Sequence, residues 1–354
     1  MGAPAAKVDL LGLLPDELAR FLSALGEPSY RARQLFSWLH RGARFDDMTT
    51  LPTPLRTRLA RLATPGTLRS HTQDTAPDRA TKFAFRAADH HIIETVLIPH
   101  GRRTTVCVSS QIGCAYRCRF CATGRQGLTR DLTAGEIAEQ VVRAQQLFPP
   151  ARITNVVFMG MGEPLANYQA VVKSIRLLNH PEGLNIGARH IAVSTCGLPD
   201  GIRRLAAEGL QLALAISLHA ATDEVRSKLV PVNRTHPIAE LIAAAREYAA
   251  KTGRKIAFQY VVVPDLNDSP IQAWRLAALA KGLPCMVNVI PQNPVSDSAP
   301  TDRAAPVRFA RLLRERGLPV VIRRSRGAEV LGACGQLRSR LALSVHPPDT
   351  HTRS

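Results

Sequence analysis

Three cysteines crowd one short run, Gly113-Cys114-Ala115-Tyr116-Arg117-Cys118-Arg119-Phe120-Cys121, spaced C-x3-C-x2-C. Thiolates that close together can hold three corners of a [4Fe–4S] cluster. No fourth cysteine stands nearby, so one iron would stay open to a substrate or cofactor. Two other readings compete. A zinc site takes four ligands, usually in paired C-x2-C or Cys/His arrangements. No second pair appears, and His90 and His91 lie too far upstream to complete one simply. Three buried thiols packing as small apolar residues are the third reading.

A second candidate is Gly160-Met161-Gly162-Glu163-Pro164-Leu165, directly after an apolar run that ends at Met159. Glycines at a strand end let backbone groups approach a ligand closely. The other reading is an ordinary turn between strand and helix.

These segments need elements to position them. From about Leu10 to Leu62 the pattern predicts short amphipathic helices. One starts at Pro15-Asp16-Glu17 with an apolar face of Leu18, Phe21, Leu22 and Leu25. A second follows Ser29 and ends at Gly42. A third runs from Pro54 to Leu59. Trp38 and the arginines here suit either RNA contact or, for Trp38 by its periodicity, the core. Strands follow at 83–85, 92–98 and 104–108, with a turn at His100-Gly101. Beyond the cysteines, apolar runs at 153–159, 190–194, 212–218, 257–263, 286–290 and 319–322 alternate with helical patterns such as 170–178, 202–207 and 238–249. That alternation predicts an α/β fold with a parallel sheet wrapped by helices. About six β/α units are too few for a closed eightfold barrel, so a partial, open barrel is expected. The expected division is a helical accessory, RNA-binding domain at 1–75, linker strands at 76–110, a core at 111–345 and a disordered tail at 346–354.

The chain of 354 residues, 45% hydrophobic, reads as a folded soluble protein of one large domain and an accessory one. It lacks a run of about 18 apolar residues, and its first residues lack the pattern of a signal peptide. Seven cysteines without a small secreted scaffold point to a reducing cytoplasm. The formal charge of +18 suits a polyanion such as RNA rather than a membrane. An arginine-rich codon bias gives the same charge.

The three-cysteine run with Phe120 resembles the radical S-adenosylmethionine (SAM) enzymes. Taken with CVSSQIGCAYRCRFCATG from Cys107, MGMGEPLANY, VSTCG, LAISLHA, DEVRSKLVPVNR, VNVIPQNP and RRSRGAEVLGACGQL, the chain resembles the radical SAM RNA methyltransferases. Those enzymes methylate adenosine at C2 (RlmN type) or at C8 (Cfr type). The resemblance runs from about Glu94 to Leu337, and the N-terminal helices resemble that family's accessory domain.

The resemblance implies one [4Fe–4S] cluster on Cys114, Cys118 and Cys121. It implies SAM contacts from Gly162, Glu163, Ser194, Ser217, Leu218, His219 and Asn293. It makes Cys334 the methyl carrier, Cys107 the resolving thiol and Glu94 the base. It further implies 23S rRNA and tRNA as substrates, methylated at C2, an electron donor for the cluster, and a thiol reductant for a transient Cys107–Cys334 disulfide. Cys196 and Cys285 match no catalytic position and are expected to be inert. The C8 chemistry is the alternative within the family. A radical SAM maturase and a non-catalytic iron–sulfur RNA-binding module are the alternatives outside it.

Overall fold

The computed structural model describes residues 7–149, 152–293 and 304–337. The tail expected from 346 lies outside them.

The N-terminal unit is built as its pattern predicts, with one addition. Strand β1 (Val8–Asp9) precedes helices α1 (Pro15–Ser23), α2 (Arg31–His40) and α3 (Thr53–Leu62). Glu17 folds back to accept the Leu14 N–H at 2.7 Å and fixes the start of α1. The helices bury Leu18, Leu22, Leu35, Phe36, Leu39, Leu55 and Leu59. Trp38 packs against this core, and its indole N–H donates to Thr50 Oγ1 at 2.8 Å. Strand β2 (Ala63–Thr64) then pairs in parallel with β1 and closes the unit, an element too short to be read from periodicity.

The main sheet begins before residue 76. Strand β3 (Arg69–Thr75) is its polar, exposed edge, followed by β4 (Thr81–Arg86), β5 (Ile92–His100) and β6 (Arg103–Cys107), all antiparallel. The strands expected as a linker are therefore part of the sheet itself. A hairpin of β7 (Gln111–Gly113) and β8 (Leu128–Asp131) encloses the cysteine run and a short helix α4 (Ala122–Gln126). Helix α5 (Ala134–Leu147) then leads to β9 (Asn155–Phe158), which pairs in parallel with β6.

From there strands and helices alternate. They run α6 (Tyr168–Asn179), β10 (Ile191–Thr195), α7 (Pro199–Ala207), β11 (Ala213–Ser217), α8 (Asp223–Leu229) and α9 (Ile238–Thr252). Then come β12 (Ile256–Val262), α10 (Pro270–Ala280), β13 (Cys285–Pro291), α11 (Ala305–Arg314) and β14 (Val320–Ile322). The strand order is β14-β13-β12-β11-β10-β9-β6-β5-β4-β3. Six parallel pairings, β6·β9 through β13·β14, make the six expected units, and β3 and β14 remain as open edges.

One apolar core runs from Leu10 and Leu18 in the N-terminal unit to Phe309 and Leu313 in α11. Polar contacts reinforce the join: Glu139 of α5 accepts the N–H groups of Thr67 and Leu68 at 2.7 and 2.9 Å. Among the described residues no helix is long and apolar enough to cross a membrane.

Candidate active site

One cavity opens at the C-terminal ends of the parallel strands. Open α/β sheets collect ligands there because the strand ends expose backbone groups. Its wall holds Cys114, Cys118, Cys121 and Cys334. Around them stand Gly162 and Glu163 after β9, Ser194 on β10, Ser217 on β11, His219 beyond it, and Asn293 after β13. Ten of the thirteen expected site residues thus meet in one place.

The cysteine loop is clasped on three sides. The Cys114 N–H donates to Gly127 O at 2.8 Å, Arg119 N–H to Leu229 O of α8 at 3.0 Å, and Ala122 N–H to Gly335 O at 2.7 Å. Burial pushes the Cys114 thiol up to about 12 and the Cys118 thiol higher still. Ligand thiols must lose those protons, which a bound metal's charge enforces. Among the described residues no three metal-binding side chains converge on a single ion. Three thiols on one loop, lining a cavity with no fourth cysteine in that loop, suit three corners of a [4Fe–4S] cluster.

Glu163 is buried and saturated. It accepts from Leu165 N at 3.0 Å and Cys196 N at 2.7 Å, and Cys196 Sγ and Thr195 add side-chain hydrogen bonds. Burial raises its pKa, and these donors pull it back. Gly162 has φ +98°, and a Cβ there would stand 2.5 Å from Gln111 Cβ, so only glycine fits between β7 and the cavity.

Two buried nitrogens face the cavity without a protein partner, His219 Nε2 and Gln259 Nε2. The ring of His219 packs edge-on against Phe120 at 4.4 Å, and its Nδ1 accepts the Val261 N–H at 3.0 Å. That bond puts the proton on Nε2. Burial lowers its pKa to about 3, so it stays a neutral donor. Unpaired donors in a concave wall fit a ligand rich in acceptors, as SAM is with its carboxylate, ribose and adenine. The cavity thus suits both groups that the sequence implies. The three thiols would hold the cluster; Glu163, Ser194, Ser217, His219 and Gln259 would surround SAM.

Cys334 sits on a segment without regular structure, and its exposed surface opens onto this cavity. Asn293 Nδ2 donates to Cys334 O at 3.0 Å, Ser325 Oγ donates to Asn293 Oδ1 at 2.6 Å, and Thr123 Oγ1 donates to Leu337 O at 2.6 Å. Gly335 has φ +81°, and a Cβ there would stand 2.8 Å from Phe120 O. The close approach seats Cys334 against the cysteine loop. Depth in the protein raises the Cys334 thiol pKa, and Arg323 pulls it down.

The other three expected residues lie behind the wall. Leu218 is core; its N–H and C=O are taken by Gln259 O and Arg226 Nε. Cys107 packs with Val96, Met161 and Leu337, and its thiol is raised by burial and then by the charge of Cys334. Glu94 is buried on β5, with Oε1 3.5 Å from Lys82 Nζ. It shares a sheet face with Val96, whose side chain backs Gly332 of the Cys334 segment. Cys285 lies at the opposite end of its strand, outside this cavity. Cys196, which the sequence did not place at the site, lines the cavity, and its thiol bonds to Glu163. Gln259 was also missed, although one amide inside the apolar Ile256–Val262 strand is a readable signal.

Comparison with known proteins gives the family. Residues 108–276 match the radical SAM superfamily, and residues 8–64 match the ribosomal RNA large subunit methyltransferase N-terminal domain. The chain is 46% identical to a probable dual-specificity RNA methyltransferase RlmN of Symbiobacterium thermophilum, covering 96% of this chain and 93% of that one. It is 44% identical to the corresponding protein of Geobacillus kaustophilus, covering 94% and 92%. The crystal structure of a radical SAM methyltransferase from Sphaerobacter thermophilus superposes with a TM-score of 0.89 at 48% identity, covering 94% of this chain and 99% of that one. The chain belongs to the RlmN family of radical SAM RNA methyltransferases.

Proposed function

We propose that the protein methylates C2 of an adenosine in 23S rRNA, and of an adenosine in tRNA anticodon loops, in the cytoplasm. One observation carries the reading: three loop thiols and Cys334 line one cavity, with the Cys334 segment seated against the loop and Cys107 behind. Supporting it are exposed arginines on both cysteine-bearing segments, Arg117, Arg119 and Arg125 on one and Arg323 and Arg324 on the other. They suit phosphate contacts around a base drawn out of its stack. The N-terminal unit is assigned to RNA binding.

When bound, the cluster supplies the electron that cleaves SAM and so provides a 5′-deoxyadenosyl radical. The chain's own residues do the rest. The Cys334 thiolate takes a methyl group from a first SAM by displacement. That methyl, held on Cys334, loses a hydrogen atom, and its carbon adds to the adenine ring. The adduct loses one electron, for which the oxidised cluster would be the acceptor when bound, and Glu94, ion-paired with Lys82, takes the ring proton. The Cys107 thiolate attacks the Cys334 sulfur, forming a disulfide and freeing the RNA, whose new carbon gains a proton. An electron donor and a thiol reductant complete the cycle. The test is mass spectrometry of RNA treated with reduced enzyme and methyl-labelled SAM. Labelled 2-methyladenosine is expected; 8-methyladenosine, or no labelled base, would contradict the reading.

A further inference from the structure

Helix α8 buries a cation that forms no close ion pair among the described residues. Arg226 is fully buried. Its Nε donates to Leu218 O at 3.1 Å. Its Nη2 donates to Cys196 O and Ser217 O at 2.6 and 3.1 Å, and its Nη1 to Asn233 Oδ1 at 2.9 Å. All four acceptors are neutral amide oxygens. Among the described residues it forms no ion pair. Asp223, one turn earlier and exposed, is the carboxylate whose charge reaches it. That carboxylate is engaged elsewhere, accepting from Asn233 Nδ2 at 3.0 Å and Ile238 N at 2.8 Å.

The same helix meets the cysteine loop on either side of Arg226. Cys118 and Phe120 pack against Val225, Leu229, Val230 and Cys196. Arg119 N–H is tied to Leu229 O at 3.0 Å. The charge of the guanidinium reaches Cys118 and Cys196, and it adds to burial in keeping His219 neutral. A buried charge without a close ion-pair partner is costly, and an anion bound nearby would offset that cost. Three thiolates on an oxidised [4Fe–4S] core of charge 2+ leave one net negative charge, and reduction adds a second. Net charge and nearby dipoles set the potentials of such clusters.

We propose that Arg226 is the counter-charge of the bound cluster and raises its reduction potential. Its forked donors meanwhile hold the strand ends Cys196, Ser217 and Leu218 in the cavity wall. It is a positioning residue: the guanidinium acts on the cluster through space and on the wall through three carbonyls. This rests on reading Cys114, Cys118 and Cys121 as cluster ligands.

The experiment is a potentiometric titration, followed by electron paramagnetic resonance, of anaerobically reconstituted full-length protein at low ionic strength. Iron and sulfide content is measured in parallel. Arg226→Gln is expected to keep the cluster but lower the ratio of reduced to oxidised cluster at least tenfold at a fixed potential, about 59 mV for one electron. Arg226→Lys, which keeps the charge and loses the fork, is expected to stay within about twofold of wild type, since charge is the larger influence on potential. Asp223→Asn removes the facing carboxylate, keeps its acceptor oxygen and is expected to shift the ratio toward reduced. It carries the test if Arg226→Gln does not fold. A wild-type potential in Arg226→Gln, an equal shift in the Gln and Lys variants, or an unshifted Asp223→Asn would overturn the proposal. Wild-type protein that takes up no cluster would instead overturn the loop reading, and this inference with it.

Discussion

Two segments bring cysteines to the same cavity, and they are built in opposite ways. The loop of Cys114, Cys118 and Cys121 is enclosed by a β-hairpin and tied by backbone hydrogen bonds to α8 and Gly127. The segment of Cys334 has no helix or strand from Arg323 to Leu337. Backbone bonds hold it at Arg323 and Gly335, and side chains hold it elsewhere: Asn293, Thr123 and Asp78, the last accepting the Gly327 N–H at 3.1 Å. Side-chain anchors on irregular backbone belong to the low-stability end of a fold. The difference matches two tasks. Cluster ligands must stay put. In the proposed chemistry a carrier thiol serves SAM and RNA on the cavity side, then Cys107 behind it.

Breaking each segment separately should separate the tasks. Cys118→Ala is expected to lose the cluster, and with it SAM cleavage and RNA methylation, measured by iron content and 5′-deoxyadenosine release. Cys334→Ala is expected to keep the cluster and lose methylation below detection, with no label from methyl-labelled SAM on the protein. Normal RNA methylation by Cys334→Ala would remove the two-stage chemistry.

A smaller lesion tests the anchoring. Asn293→Ala frees the Cys334 carbonyl and Ser325 together. The loss of about 1–1.5 kcal/mol for a backbone-directed hydrogen bond predicts about a tenfold slower methylation of Cys334. Iron content should not change. Loss of iron in this variant would show that the two segments act as one.

The smallest effect lies far from both. Asp9, where the N-terminal unit meets α5, has its pKa raised from 3.8 to about 7, first by burial and then by Glu139. The folded chain therefore keeps, between about pH 4 and 7, a proton that the unfolded chain has released. Stability from this group is full below pH 3.8 and is lost as pH rises through 7. Asp9→Asn should match wild type at pH 4 and be more stable by about 1–2 kcal/mol at pH 8. Thermal unfolding at both pH values checks the sign.

Much of this was legible in the sequence, for reasons that differ along the chain. The parallel strands announced themselves because both faces are buried and their runs are apolar, as in Ile256–Val262. Strand β3, Arg-Ser-His-Thr-Gln-Asp-Thr, carries no such pattern because it is a solvated edge. Helix α5 was not placed because it buries Glu136, Glu139 and Gln140 beside its apolar residues. Its capping pair, Thr133 with Glu136 at 3.1 and 2.9 Å, was the readable signal. The cysteine spacing named the loop. Gln259 and Arg226 escaped because only the folded sheet reveals an unpaired amide or a cation without an anion.

The proposed division between a cluster loop and a carrier thiol is tested most directly by Cys107→Ala. The variant should still accept a methyl group on Cys334 and add it to RNA, then stall with no thiol to attack the bridging sulfur. Denaturing electrophoresis and mass spectrometry after nuclease digestion should find a protein–adenosine adduct through Cys334. Folded Cys107→Ala enzyme that turns over and releases free methylated adenosine would contradict it, leaving Cys107 a small buried residue whose loss costs only stability.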